Sequence, residues 1–144
     1  MRKRMMIAAA LAALLAPLPA AAQKWYRVAD GTETRSYIDL DSIRPEGELL
    51  VAQTFSVLLT PTPGSPVHWV LTTTAFDCKG HRGRLDLVIG YDAKRGEVFN
   101  RPNFDGGKFR PHGPGTDSVN MSDFVCNVAR ENAVLVADPW TDEP

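Results

Sequence analysis

Apolar and polar residues alternate along this chain from Lys24 to Asn100, and the alternation breaks at turn-forming residues. A period of two is the mark of a strand with one buried face. Lys24–Ala29 fits a short strand, Asp30-Gly31 a hairpin turn able to take positive φ angles, and Thr34–Ile38 the returning strand. Asp39–Pro45 breaks the pattern and predicts a tight turn or single helical turn, with Asp39 or Asp41 accepting free backbone N–H groups. Glu48–Leu59 is a third strand with Leu49, Val51, Phe55, Val57 and Leu59 at alternate positions. Pro61, Pro63 and Pro66 then make a stiff loop, because proline cannot donate to a ladder.

Val67–Cys78 is the longest run dominated by β-branched and aromatic residues, and it predicts a central strand. Lys79–Gly83 reads as a basic hairpin connection. Arg84–Asp92 alternates most cleanly, with Leu85, Leu87, Ile89 and Tyr91 on one side. Glu97–Asn100 is a short strand, and Arg101–Gly115 has no period, which predicts a long surface loop. At Thr116 the period changes. Met121, Phe124, Val125, Val128 and Ala129 recur at three and four, the stripe of an amphipathic helix, with Thr116 as N-cap and Asp117 in the first turn. Val134–Val136 fits a short edge strand, and Asp138–Pro144 a loose end. The expected fold class is therefore α+β: an antiparallel meander of about six strands with one C-terminal helix packed on one face.

The first 22 residues change the picture, because they do not belong to that fold. Met1–Arg4 is a basic n-region, Met5–Leu15 an apolar h-region, and Ala20-Ala21-Ala22 supplies small residues for cleavage. The apolar stretch is well short of the roughly 20 residues that span a bilayer. The expectation is a cleaved secretory signal peptide over residues 1–22, a single domain over 23–130 and a C-terminal tail over 131–144, a short edge strand and then disorder. No cysteine follows the cleavage point, so the expected location is periplasmic or secreted without a lipid anchor. Cleavage removes Arg2, Lys3 and Arg4 and no acid, so 16 basic residues become 13 against 17 acidic ones, a net charge of −4. That charge argues against a nucleic-acid partner.

Export also gives the two cysteines a reading. In an oxidising compartment an even count implies a bridge, here Cys78–Cys126 across a separation of 48. Such a loop closure is worth about 3–4 kcal/mol in the chain-entropy model. The bridge would bring the helix over the Val70/Phe76/Cys78 face of the central strand. The opposite face, with Val67, Trp69 and Leu71, is also too apolar to leave wet. Either the sheet curls over it or a partner covers it, so these three residues form a candidate partner face, for a homodimer or a ligand.

Candidate chemistry adds little. His68, His81 and His112 have no metal-ligand spacing, no G-x-S-x-G elbow is present, and Asp39-Leu40-Asp41 lacks the rest of a calcium loop. No metal, cofactor or catalytic residue is assigned. Two basic clusters remain as candidate anion-binding loops: Lys79, His81, Arg82 and Arg84 in one, and Lys108 and Arg110, flanked by Arg101 and His112, in the other.

The order Trp25, Tyr37-Ile38-Asp39, Ser42-Ile43, Asp77-Cys78, Pro114-Gly115-Thr116 and Phe124-Val125-Cys126 resembles the surface-adhesin protein E family of small exported bacterial proteins. The resemblance spans Trp25 to Cys126. It implies an antiparallel six-stranded sheet with one helix and a binding role at the cell envelope. It further implies host extracellular-matrix proteins as ligands of the adhesin that gives the family its name. The leading expectation is a non-enzymatic exported binding module whose partner is a protein or an anionic envelope or extracellular ligand. A small periplasmic hydrolase using one of the three histidines and an envelope structural component without a ligand are the alternatives.

Overall fold

The computed structural model describes residues 23–142; the expected signal peptide lies outside them. The alternating stretches form strands β1 (Trp25–Asp30), β2 (Thr34–Asp39), β4 (Leu49–Leu58), β5 (Trp69–Asp77), β6 (Arg82–Tyr91) and β7 (Glu97–Pro102). Three short strands join them: β3 (Arg44–Glu46), β8 (Arg110–Pro111) and β9 (Val134–Val136). All pair antiparallel in one sheet of order β7-β6-β5-β4-β2-β1-β9. Among the described residues the meander and its single α-helix α1 (Asp117–Val125) are as expected, with nine strands rather than about six.

Two of the additional strands, β3 and β8, have a common cause. β4 and β6 each run for 10 residues, longer than one neighbour can cover. β2 pairs with β4 from Thr54 to Leu58, and β3 takes its other end at Leu49–Val51. In the same way β7 pairs with β6 from Leu87 to Tyr91, and β8 takes Arg82 and Gly83. Backbone groups at both ends of the long strands are thereby paired rather than left bare. β8 lies in the stretch expected to be loop throughout, and it makes that loop part of the sheet edge.

Each sheet face carries its own core. On the helix side Ile38, Ala52, Phe76, Phe124 and Val125 are buried together. Full burial of each of the larger side chains contributes roughly 1.5–3 kcal/mol. Cys78 and Cys126 are bonded, Cα–Cα 5.7 Å, joining the residue after β5 to the C-cap of α1. The opposite face buries Trp25, Tyr37 and Phe55, with Trp69, Leu71 and Trp140 packed against them.

At the turns the first expectation holds and the others do not. Asp39 caps a single 3-10 turn over Leu40–Ser42, and its Oδ1 accepts from the N–H groups of Asp41 and Lys24, both at 3.1 Å. In the β1–β2 hairpin Gly31 keeps a negative φ. Its missing side chain matters instead because a Cβ would meet the Thr34 carbonyl at 3.1 Å. Thr116 occupies the N-cap of α1 but makes no capping bond; its hydroxyl donates to the Gly113 carbonyl at 2.6 Å. Asp117 turns away from the helix and accepts from Thr34 (2.6 Å) and Ser36 (3.0 Å) on β2. The helix ends at Val125, earlier than the stripe predicts, and Val128 is 72% exposed. Asn127 takes φ +59°, a left-handed residue that stops the helix, and Arg130 donates from Nε to the Phe124 carbonyl at 2.7 Å.

The expectation of a disordered end gives way over Ala137–Asp142. After β9 pairs with β1, the chain folds back over the second sheet face. Trp140 lies 4.7 Å from Phe55, 5.3 Å from Trp69 and 5.1 Å from Tyr91, ring centre to ring centre. Asp142 is held by Tyr37 Oη (2.8 Å), by Arg27 Nη1 (3.0 Å) and, through its carbonyl, by Arg35 Nη1 (3.0 Å). Burial first, and then the bond to Asp142, holds the Tyr37 proton well above the ordinary phenol range.

Candidate functional site

The β8–β6 pairing brings the two basic loops to one place. Arg110 lies across from Gly83 and Pro111 across from Arg82, and the His112 N–H donates to the His81 carbonyl at 3.2 Å. Phe109 is the hinge between the loops: the guanidinium of Arg82 stands 4.8 Å, and that of Arg84 4.9 Å, from its ring centre. Each arginine also has a carboxylate. Arg82 Nε meets Asp77 at 2.8 Å, Arg84 Nε meets Asp86 at 2.6 Å, and Arg110 Nη2 meets Asp105 at 2.7 Å. The Gly80 N–H and then Arg82 hold the Asp77 carboxyl below its usual range. The two lysines differ. Lys108 is exposed, and Lys79 only grazes Glu48 at 4.0 Å, with both side chains about nine-tenths exposed. The five cations of the two loops stand among five carboxylates: Asp77, Asp86 and Asp105 pair with the arginines, Glu48 lies 4.0 Å from Lys79, and Glu46 acts on Arg84.

Asp105 makes the arrangement rigid. Its side chain is 2% exposed; Oδ2 accepts from the Leu85 N–H at 2.8 Å, and Oδ1 forms a close ion pair with the exposed Arg110 rather than a well-directed hydrogen bond. It therefore fills the gap where β6 bulges between its partners of Thr73 and Thr74. Nothing in the sequence marked Asp105, since it stands in a glycine-containing stretch without a period.

His112 is packed against β6, where a Cβ on Gly83 would lie 2.9 Å from its Cε1, and its ring centre is 6.1 Å from that of Phe76. Its Nε2 is buried and has no hydrogen-bond partner among the described residues. Burial first, then the neighbouring His81, lowers its pKa below the ordinary 6.5. No hydroxyl or carboxylate among the described residues reaches that nitrogen, so the pair that a nucleophile and base require is not assembled there. His68 is beside Trp69, at 5.9 Å between rings. No group of three His, Cys, Asp or Glu side chains among the described residues could hold a metal ion.

Two clefts flank the sheet. One, of about 360 Å³, lies between α1 and the β4–β5–β6 floor, beside His112. The other, of about 320 Å³, lies under the returning tail, between Trp25, Phe55 and Trp140. Of the candidate partner face, Trp69 packs on Trp140, Leu71 lines the tail-side cleft, and Val67 is half-buried just before β5. The face thus divides: its centre is covered by the chain's own tail.

A single antiparallel sheet, one helix tied to it by a disulfide and a cationic loop pair at one end define a small sheet-and-helix module. The chain belongs to the surface-adhesin protein E family, whose profile matches residues 25–127. It is also similar to a crystal structure of protein E from non-typeable Haemophilus influenzae, at 16% identity over 78% of this chain and 82% of that one, with a TM-score of 0.47. No curated protein matches the chain. No helix among the described residues is long and apolar enough to cross a membrane.

Proposed function

We propose that this protein is an exported, non-enzymatic binding module of the cell envelope that captures a polyanionic extracellular ligand on its paired basic loops. The observation that carries the reading is the junction of Lys79–Arg84 with Lys108–Arg110 through the β8–β6 pairing and Phe109. Membership of an adhesin family supports a binding role. The ion pairs, and for Arg82 and Arg84 the Phe109 ring, restrain the arginines, which lowers the entropy cost of ordering them around a ligand. The exposed lysines add charge that steers a partner inward. The Trp69 face, occupied at its centre by Trp140, is not the surface proposed for the ligand.

Binding of the mature protein to immobilised heparin, as a sulfated stand-in, tests this. The expected outcome is retention that falls steeply as salt rises from about 0.05 to 0.3 M, because exposed charges are screened over roughly 8 Å at 0.15 M. Lys79→Ala with Lys108→Ala should weaken binding about tenfold while leaving the fold unchanged. Salt-independent retention, or a double variant that binds like the parent, contradicts the proposal.

A further inference from the structure

The cleft between α1 and the sheet has a floor that a helix-facing sheet surface does not need. Helix α1 packs on β1 and β2, where the sheet presents Tyr26, Val28 and Ile38. Beyond the helix, on β4 and β5, the same face carries Thr54, Ser56, Thr72 and Thr74. These side chains lie in register, Thr54 across from Thr72 and Ser56 across from Val70. Together with Ser36 and Asp117 they form a hydroxyl row that crosses three strands.

The row has hydrogen-bonding capacity left over. Asp117 takes the protons of Thr34 and Ser36, and Ser36 lies 3.4 Å from Ser56. Thr54 bonds Thr72, and Thr72 lies 2.9 Å from Thr74. Each hydroxyl offers one proton and two acceptor sites. Two bonds among three threonines leave one proton and several acceptor sites without a use within the row. Phe76, Leu85 and Met121 supply apolar wall beside it. At the mouth, the Arg84 fork is occupied by Asp86 at 2.6 and 3.2 Å, and Arg110 is paired with Asp105. The cleft thus offers mixed donors and acceptors, apolar surface and no unpaired charge. Its volume of about 360 Å³ is within the range of roughly 300–1,000 Å³ typical of small-molecule sites.

We infer that this cleft binds one sugar unit of a neutral glycan. A pyranose ring has hydroxyls that both give and take protons, and a C–H face that packs on apolar walls. The inference goes beyond the capture of polyanions on the basic loops: Arg84 and Arg110 stand at a mouth common to both, whereas the Thr54, Thr72 and Thr74 hydroxyls belong to the cleft alone.

The test is methyl NMR of the mature protein titrated with the methyl glycosides of glucose, galactose, mannose and N-acetylglucosamine. Saturable shifts confined to the methyls of Thr54, Thr72, Thr74, Leu85 and Met121 with at least one glycoside are expected. Thr72→Val should weaken that binding about fivefold, and Thr72→Ser, which keeps the hydroxyl, should restore it. Absence of saturable shifts with every glycoside overturns the inference, as does equal binding by Thr72→Val. The same shifts with acetate or sulfate in place of sugar also overturn it. Should Thr72→Val fail to fold, the titration of the parent protein decides alone. Heparin retention measured on the same samples keeps this outcome apart from that of the basic loops.

Discussion

His112 is half-buried, and its Nε2, itself buried, finds no partner among the described residues; the ring is seated where β6 has a glycine. The groups that act on it come from each neighbouring element: His81 from the β5–β6 turn and burial lower its pKa, while Asp123 on α1 and the Arg82 carbonyl oppose the shift. The folded-state value is therefore below the unfolded 6.5. Above pH 6.5 the ring is neutral in both states. As pH falls through that value the unfolded chain takes up the proton first, so stability is lost on acidification down to the folded pKa. Urea unfolding midpoints at about pH 7.5 and 5.5 should fall more for the parent than for His112→Gln. An equal fall in both would show that the imidazole is not responsible. Residues of this kind were hard to read in advance. His112 and Asp105 act through β6, which is distant in sequence, and the stretch that carries them has no period. Lys79, Arg82, Arg84 and Arg110 were legible because charge clusters are local. Their meeting was not, because it depends on a two-residue strand.

The elements follow from the alternation wherever a strand has one wet or one buried face. β1, β2, β4, β5, β6 and β7 all lie where the alternating stretches are. The short strands β3 and β8 have no pattern of their own and exist because β4 and β6 outrun their neighbours. The helix was legible in position but overrun in length, since Asn127 stops it in a left-handed conformation while Val128 and Ala129 still fit the stripe. The returning tail is the largest element that sequence did not reveal: Pro139 and Trp140 offer no periodicity, and their burial is set by Phe55, Trp69 and Tyr91. Trp140→Ala should lower the unfolding free energy by about 3 kcal/mol, the lower end for removing a large aromatic from a packed site, given that Trp140 is only partly buried. The remaining tryptophan emission should shift to the red as Trp69 becomes hydrated. A loss below about 1 kcal/mol with unchanged emission would mean that the tail does not cover this face in solution.

At the scale of the molecule, the two cores and the disulfide fix the sheet, and the chemistry is left to its β6–β8 end. The full chain has a formal net charge of only −1, and its basic side chains at this end stand in two loops that the β8–β6 pairing brings together. The central claim is that these two loops act as one binding surface. Backbone NMR of the mature protein titrated with a short heparin fragment tests it most directly. The prediction is that amides of Lys79–Arg84 and Lys108–Arg110 shift together along one saturation curve, with the Trp140 side of the sheet unaffected. Shifts confined to one loop, two separate curves, or a response centred on Trp69 and Trp140 would contradict it.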